Sequence, residues 1–328
     1  MPDSTLVWII AGLFLVAGFF VLASKKSSGS RKAGDSDLFT DVTALVENGT
    51  IEPFGGREEE IARVTHILMR RTKNNPLLLG KPGVGKTAIV HGLAELILKK
   101  QVPPGLQGKR ILALDLASLL SGTSHRGELE KRLRDLVRDL ERQGSESILF
   151  IDEVHMLIQA NGAEGALNVS DILKPALARG ELQVIGATTW SEYEKYLRPD
   201  AALDRRFQPV LVDEPTPAAA LAMLKIARPA YEKFHGVTIS DEALEAAVKL
   251  SKKIRDRYLP DKAIDLMDEA AAKVAIEALT PSHGAHLDVV NRASQNKKNH
   301  KHPHVSAADI AEVVEQWTEH ARAIALEG

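Results

Sequence analysis

The sequence predicts an α/β fold, a parallel sheet between helices, followed by a helical C-terminal part and preceded by one apolar helix. Three observations carry this prediction. The short apolar runs LLL at 77–79 and SILFI at 147–151 each run into a loop and then a helical pattern, the alternation that builds parallel sheets. From about residue 213 onward, stretches such as ALEAAVKLSKKI and AIDLMDEAAAKVAIEAL repeat with helical periodicity and show no strand alternation. The chain also opens on a long uncharged apolar run. At 328 residues and 44% apolar content there is enough chain to bury the core of a medium-sized module.

Bulk charge excludes little but directs attention. The 42 basic and 44 acidic residues leave a formal net charge of −2, so a nucleic-acid role is not expected without a local basic patch. The absence of cysteine rules out a disulfide framework and thiolate metal sites.

Taken in order, the first element is the run LVWIIAGLFLVAGFFVLA at residues 6–23. Its 18 residues approach the roughly 20 needed to cross hydrocarbon as a helix, and it is expected to be a transmembrane anchor within residues 1–24. The basic flank of Lys25, Lys26, Arg31 and Lys32, set against a leading MPDST with no basic residue, places the following chain in the cytoplasm. A cleaved secretory signal is the alternative, since Val21-Leu22-Ala23 resembles a cleavage site; the acidic start argues against it. Residues 25–36, rich in Gly, Ser and Lys, read as a flexible tether. The expectation is thus a single-pass membrane protein with its main body cytoplasmic.

The run at 77–79 leads directly into Gly80, Lys81, Pro82, Gly83, Val84, Gly85, Lys86 and Thr87, and then into the helical pattern that begins at Ala88. This is G-x-x-x-x-G-K-T in a strand–loop–helix setting, the signature of a nucleoside triphosphate site. The glycines let backbone N–H groups curl around phosphates at a helix N-terminus. Lys86 supplies a cation to the β/γ oxygens, and the Thr87 hydroxyl can ligate Mg²⁺.

The second run delivers Asp152 and Glu153 at its end. Two acids there suit phosphoryl transfer, Asp152 on the Mg²⁺ and Glu153 on the attacking water. Either acid alone can instead cap a helix after a buried strand. The phosphate loop upstream favours the catalytic reading, with ATP and Mg²⁺ as ligands.

The stretch RRTKNNPLLLGKPGVGKTAIVHG at 70–92 resembles the first ATPase module of the AAA+ unfoldases of the Clp family, as do LKPALARGEL, VIGATTWSEYEKY, DAALDRRFQPV and DRYLPDKAIDLMDEAA. The resemblance covers about residues 37–275. It implies an AAA+ large α/β subdomain at 37–212 and a helical lid at 213–328, assembled as a homo-oligomer, a hexameric ring, that acts on protein clients. On the matching positions, Thr189 falls at the sensor of the γ-phosphate, with Thr188 beside it. Arg205 and Arg206 fall on the arginine fingers that reach a neighbouring subunit's nucleotide, and Lys262 on the second sensor. Gly56 and Arg57 belong to a segment lining the adenine pocket; Gly55 replaces a branched apolar residue there, so looser packing of the base is expected.

The chain also departs from the family. The pore loop, Gly-Ala-Lys-Tyr-Arg-Gly-Glu in the family, reads Gly122-Thr123-Ser124-His125-Arg126-Gly127-Glu128 here. His125 offers less apolar surface than tyrosine for gripping a threaded chain, and Arg126 is the one cation beside it. The polar linker at about 280–304 carries His300, His302 and His304 and reads as a solvated loop. The function expected is ATP-driven remodelling of a protein or complex at a membrane. An ATP-dependent scaffold that recruits partners without threading them is the alternative, and a nucleic-acid-handling ATPase a third reading.

Overall fold

The computed structural model describes residues 38–51, 55–120, 126–142, 146–159, 172, 175–177, 182–255, 257–279 and 303–327. Six strands form one sheet: β1 (Phe39–Asp41), β2 (Asn75–Leu79), β3 (Arg110–Leu114), β4 (Ser147–Ile151), β5 (Gln183–Thr188) and β6 (Phe207–Leu211). Their order is β1-β3-β4-β5-β2-β6, and only the short edge strand β1 runs antiparallel to its neighbour. Between them lie α1 (Val42–Glu47), α2 (Glu58–Leu68), α3 (Lys86–Leu98), α4 (Leu116–Leu120), α5 (Arg126–Arg142), α6 (His155–Gln159), α7 (Trp190–Glu192) and α8 (Ala201–Asp204).

The apolar runs read as strands because both faces of the sheet are covered. Leu77, Leu79, Leu149, Ile151 and Val184 pack on one side with Leu133, Leu136 and Leu140 of α5. Leu78, Ile148, Phe150 and Ile185 pack on the other with Ile67 of α2 and with Ile89 and Leu93 of α3. A strand buried on both faces carries a continuous apolar run rather than an alternating one, and β2 and β4 are buried throughout. Register then fixes the site. Leu79 lies opposite Thr188 and Ile151 opposite Gly186, so β2, β4 and β5 end side by side at one edge of the sheet.

The C-terminal part is helical, with α9 (Pro217–His235), α10 (Asp241–Leu250), α11 (Asp261–Leu279) and α12 (Ala307–Glu327) around a core of Leu224, Leu244, Leu266, Met267, Ile310 and Val313. Local chemistry starts and stops these helices. The Thr216 hydroxyl accepts from the Ala219 amide ahead of Pro217, Gly236 ends α9 at φ 68°, and Ser240 caps α10.

Two expectations change. His304 is not solvated linker: it pairs in a short parallel ladder, β7 (Thr238–Ile239) with β8 (His304–Val305), and its Nδ1 lies 3.0 Å from Thr238 Oγ1. Main-chain bonds from Thr238 to Pro303 and from Ser240 to Val305 hold it there; His300 and His302 lie outside the described residues. The single-pass membrane placement, with the cytoplasmic assignment built on it, does not stand. Among the described residues no helix is long and apolar enough to cross a membrane. Helices α9, α11 and α12 have the length, but α11 alone carries Asp261, Asp265, Asp268, Glu269 and Lys273, which hydrocarbon does not accommodate. The run at 6–23 on which the placement rested lies outside the described residues, as does the tether at 25–36.

Candidate active site

Buried β2 feeds a loop that only glycine can shape. Gly83 has φ 76°, and a Cβ on it would lie 2.7 Å from the Asp261 Cβ. Gly85 caps α3 in the left-handed conformation at φ 96°. Lys86 opens α3, is 7% exposed, and donates from Nζ to the carbonyls of Gly80 at 3.0 Å and Lys81 at 3.2 Å. Its charge therefore sits over the loop, at a helix N-terminus whose own dipole favours anions. Val84 is buried, Ala88 continues the first turn of α3, and exposed Lys81 stands 4.3 Å over the Tyr258 ring. Pro82 lies exposed between them.

The Thr87 hydroxyl donates to Asp152 Oδ2 at 3.2 Å, joining α3 to the end of β4. Asp152 Oδ1 accepts the Glu153 amide at 2.9 Å. Glu153 has φ 47°, a left-handed conformation that a non-glycine residue rarely adopts and that costs about 1–3 kcal/mol. Burial, then the charges of Asp152 and Glu192, push its carboxyl above the usual range, making it a better base. A hydroxyl and a carboxylate in contact beside a phosphate-shaped loop and a buried lysine fit Mg²⁺ with a triphosphate.

At the end of β5, Thr188 is fully buried and Thr189 caps α7. The hydroxyls of Thr188 and Thr189 and the Thr189 amide all donate to Glu192 Oε2, at 2.9, 2.8 and 3.1 Å. Burial raises the Glu192 carboxyl, but these bonds outweigh it and hold the group below its ordinary value. His155 completes the cluster, with Nδ1 2.9 Å from Thr188 Oγ1 and Nε2 3.3 Å from Glu192 Oε1.

The expected base-binding segment lies between loop and helical part. Arg57 is 5% exposed and donates to the carbonyls of Val84 at 2.7 Å and Asp213 at 2.8 Å. Gly56, at φ 86°, donates its amide to Glu58. Ile226 Cδ1 lies 2.4 Å from where a Cβ on Gly55 would stand. Ile226 of α9 thus stands against Gly55, where a branched side chain was expected to be missing.

Lys262 lies in the first turn of α11. It is buried, with Nζ 3.6 Å from Glu214 Oε1, which also accepts the Leu259 amide. Its neighbour Asp261 makes the loop contact, its amide donating to the Gly83 carbonyl at 3.4 Å. Arg205 and Arg206 lie just before β6, and Phe207 is opposite Asn75 at the start of β2. They sit at the sheet edge opposite to Gly80. Buried Asn75 holds this end, donating to the Arg206 carbonyl at 3.3 Å and accepting the Val184 amide at 2.9 Å. His125 lies outside the described residues, and Arg126 opens α5.

Sequence reasoning passed over His155, Glu192, Asn75 and Ile226. His155 follows the acid pair by two residues, and Glu192 follows Thr189 by three, the spacing of a capping box; nothing local marks Asn75 or Ile226.

Residues 76–212 match the family model described as "ATPase family associated with various cellular activities (AAA)", and residues 216–321 match "AAA lid domain". The chain belongs to the AAA ATPase family. Its α/β domain and helical lid are those of an AAA ATPase. The ATP-binding subunit ClpC of an ATP-dependent Clp protease from Staphylococcus aureus (strain USA300) is 49% identical over 292 residues, 88% of this chain and 35% of that protein. A closed-state reconstruction of Hsp104 with ATPγS and FITC casein aligns with TM-score 0.74 at 39% identity, covering 87% of this chain and 45% of that one. A Hsp104–ADP complex from S. cerevisiae aligns at TM-score 0.73 and 39% identity, covering 86% and 45%. The chain spans about a third of the length of the curated relatives it matches.

Proposed function

We propose that this AAA ATPase is the engine of a homo-oligomeric ring, a hexamer, that remodels protein clients. The observation that carries the reading is the convergence of Lys86, Thr87, Asp152 and Glu153 at the ends of β2 and β4, with Thr87 and Asp152 in contact at 3.2 Å. Lys86 and the loop amides hold the triphosphate, and Thr87 and Asp152 would hold Mg²⁺, which supplies charge neutralisation on the phosphates. Glu153 orients and polarises the attacking water, and Thr189, at the end of β5, would sense the terminal phosphate. The protein-client part rests on likeness to ClpC and to Hsp104, one of whose structures is a complex with casein.

The test uses the full chain. Lys86→Ala is expected to abolish binding of a fluorescent ATP analogue, while Glu153→Gln binds it and hydrolyses ATP at least about 100-fold more slowly. An unfolded client such as casein should raise ATP turnover. Wild-type nucleotide binding by the lysine variant would overturn the site, and turnover indifferent to unfolded proteins would overturn the client assignment.

A further inference from the structure

Glu153 is not held by its own loop alone. Its Oε2 lies 3.3 Å from Nδ1 of His155, and the same nitrogen lies 2.9 Å from Thr188 Oγ1. The hydrogens assign the direction of this contact. A threonine hydroxyl has one hydrogen, and that of Thr188 goes to Glu192 Oε2 at 2.9 Å. Thr188 can therefore only accept from His155, so Nδ1 carries a hydrogen and gives it to Thr188, with Glu153 Oε2 against the same nitrogen at 3.3 Å. On the far side of the ring, Nε2 faces Glu192 Oε1 at 3.3 Å. The imidazole is 7% exposed and lies nearly parallel to the Tyr196 ring, with centroids 6.0 Å apart at 22°. It has no room to turn without breaking contacts at the ends of both β4 and β5.

We propose that His155 is a positioning residue for the hydrolytic glutamate: its ring, fixed by Tyr196, Thr188 and Glu192, aims Glu153 and ties that aim to the Thr188-Thr189 strand end. This rests on Glu153 acting on the attacking water. Glu192 serves both sides of the linkage, since it also accepts from the Thr189 hydroxyl and amide. A displacement of Thr189 is then felt at Glu192, through the imidazole, at the carboxylate of Glu153. A misplacement of about 1 Å at a reacting group costs on the order of 10²-fold in rate while leaving substrate binding alone. The device thus acts on turnover, not on affinity.

The experiment measures kcat, KM and nucleotide Kd for full-length variants. His155→Ala should lower kcat by about 10–100-fold with Kd within about twofold of wild type. His155→Asn places an amide donor where Nδ1 stands and should recover a large part of kcat. His155→Gln places its donor near Nε2 and should recover little. Because both act through one network, Glu192→Gln added to His155→Ala should cost little beyond the single change. If Asn and Gln rescue equally, or if kcat of His155→Ala stays within about twofold of wild type while Glu153→Gln is inactive, the inference fails and the catalytic reading survives. Glu153→Gln turning over normally would instead remove the catalytic reading and this inference with it. Poor folding of the alanine variant leaves the Asn and Gln comparison to decide.

Discussion

Ile226 of the lid occupies the place that a side chain on residue 55 would need: a Cβ built on Gly55 would lie 2.4 Å from Ile226 Cδ1. The glycine and the isoleucine are therefore complementary, and α9 supplies the apolar wall that the 55–57 segment lacks. Because Arg57 in that segment bonds the carbonyls of both Val84 in the phosphate loop and Asp213 ahead of the lid, any clash is transmitted to the nucleotide site. Gly55→Ile should weaken ATP binding by about tenfold, near 1.4 kcal/mol. Adding Ile226→Gly should restore most of it. Titration with a fluorescent nucleotide checks both, and unchanged affinity in Gly55→Ile would show that this wall does not touch the base.

The Thr87–Asp152 contact predicts a separable metal phenotype. Asp152→Asn removes the carboxylate charge and keeps an oxygen to accept from Thr87. Nucleotide binding without Mg²⁺ should be nearly unchanged, because Lys86 and the loop amides remain. The gain in affinity on adding Mg²⁺, and turnover, should both be largely lost. Binding titrations with and without Mg²⁺ read this directly, and a full Mg²⁺ response in the variant would move the metal to other ligands.

His91, half-buried on α3, predicts how stability follows pH. Burial lowers its pKa below the ordinary 6.5, so the unfolded chain binds the proton first as pH falls. Its contribution is fully present above 6.5 and is lost as pH falls from there toward the folded value. His91→Gln, which does not titrate, should flatten the loss of stability between about pH 7 and 5. Urea unfolding at a series of pH values tests it; an unchanged slope would mean that other groups dominate.

What was legible in the sequence was what neighbours in the chain decide. The phosphate loop, the acid pair after β4 and the Thr188-Thr189 strand end each sit within one short run, and each falls at the same edge of the sheet. What was not legible needs register or distant packing. His155 meets Thr188 and Glu192 only because β4 and β5 are paired, Ile226 reaches Gly55 across 171 positions, and His304 becomes a strand residue by pairing with Thr238. Lys262 was read from its motif alone, and that motif does not show that its Nζ lies 3.6 Å from Glu214 Oε1 or that Asp261 beside it contacts the loop. The membrane reading failed on different grounds, since a length rule applied to residues 6–23 drew on no contact at all.

Arg205 and Arg206 carry the prediction about assembly. They precede β6, which runs parallel to β2 with Phe207 opposite Asn75 and Leu211 opposite Leu79. At about 3.3 Å per residue, five residues of strand put their backbone roughly 17 Å from the loop that begins at Gly80. An arginine side chain is too short to span that distance around the sheet edge, so these cations cannot serve their own nucleotide. Asn75 fixes the Arg206 backbone by its side-chain bond, which fits a group that must be presented rigidly to a neighbour. The double variant Arg205→Ala with Arg206→Ala should bind ATP normally and turn it over about 10³-fold more slowly. Lys86→Ala is silent for a different reason, since its own site is empty of nucleotide while its arginines are intact. Mixing the two inactive proteins should therefore restore turnover, because a Lys86→Ala subunit can lend its arginines to the intact site of an arginine-deficient neighbour. Activity should also fall per subunit on dilution. If the mixture stays as inactive as its components while both are shown to co-assemble, or if a demonstrated monomer keeps full specific activity, the arginines do not act between subunits.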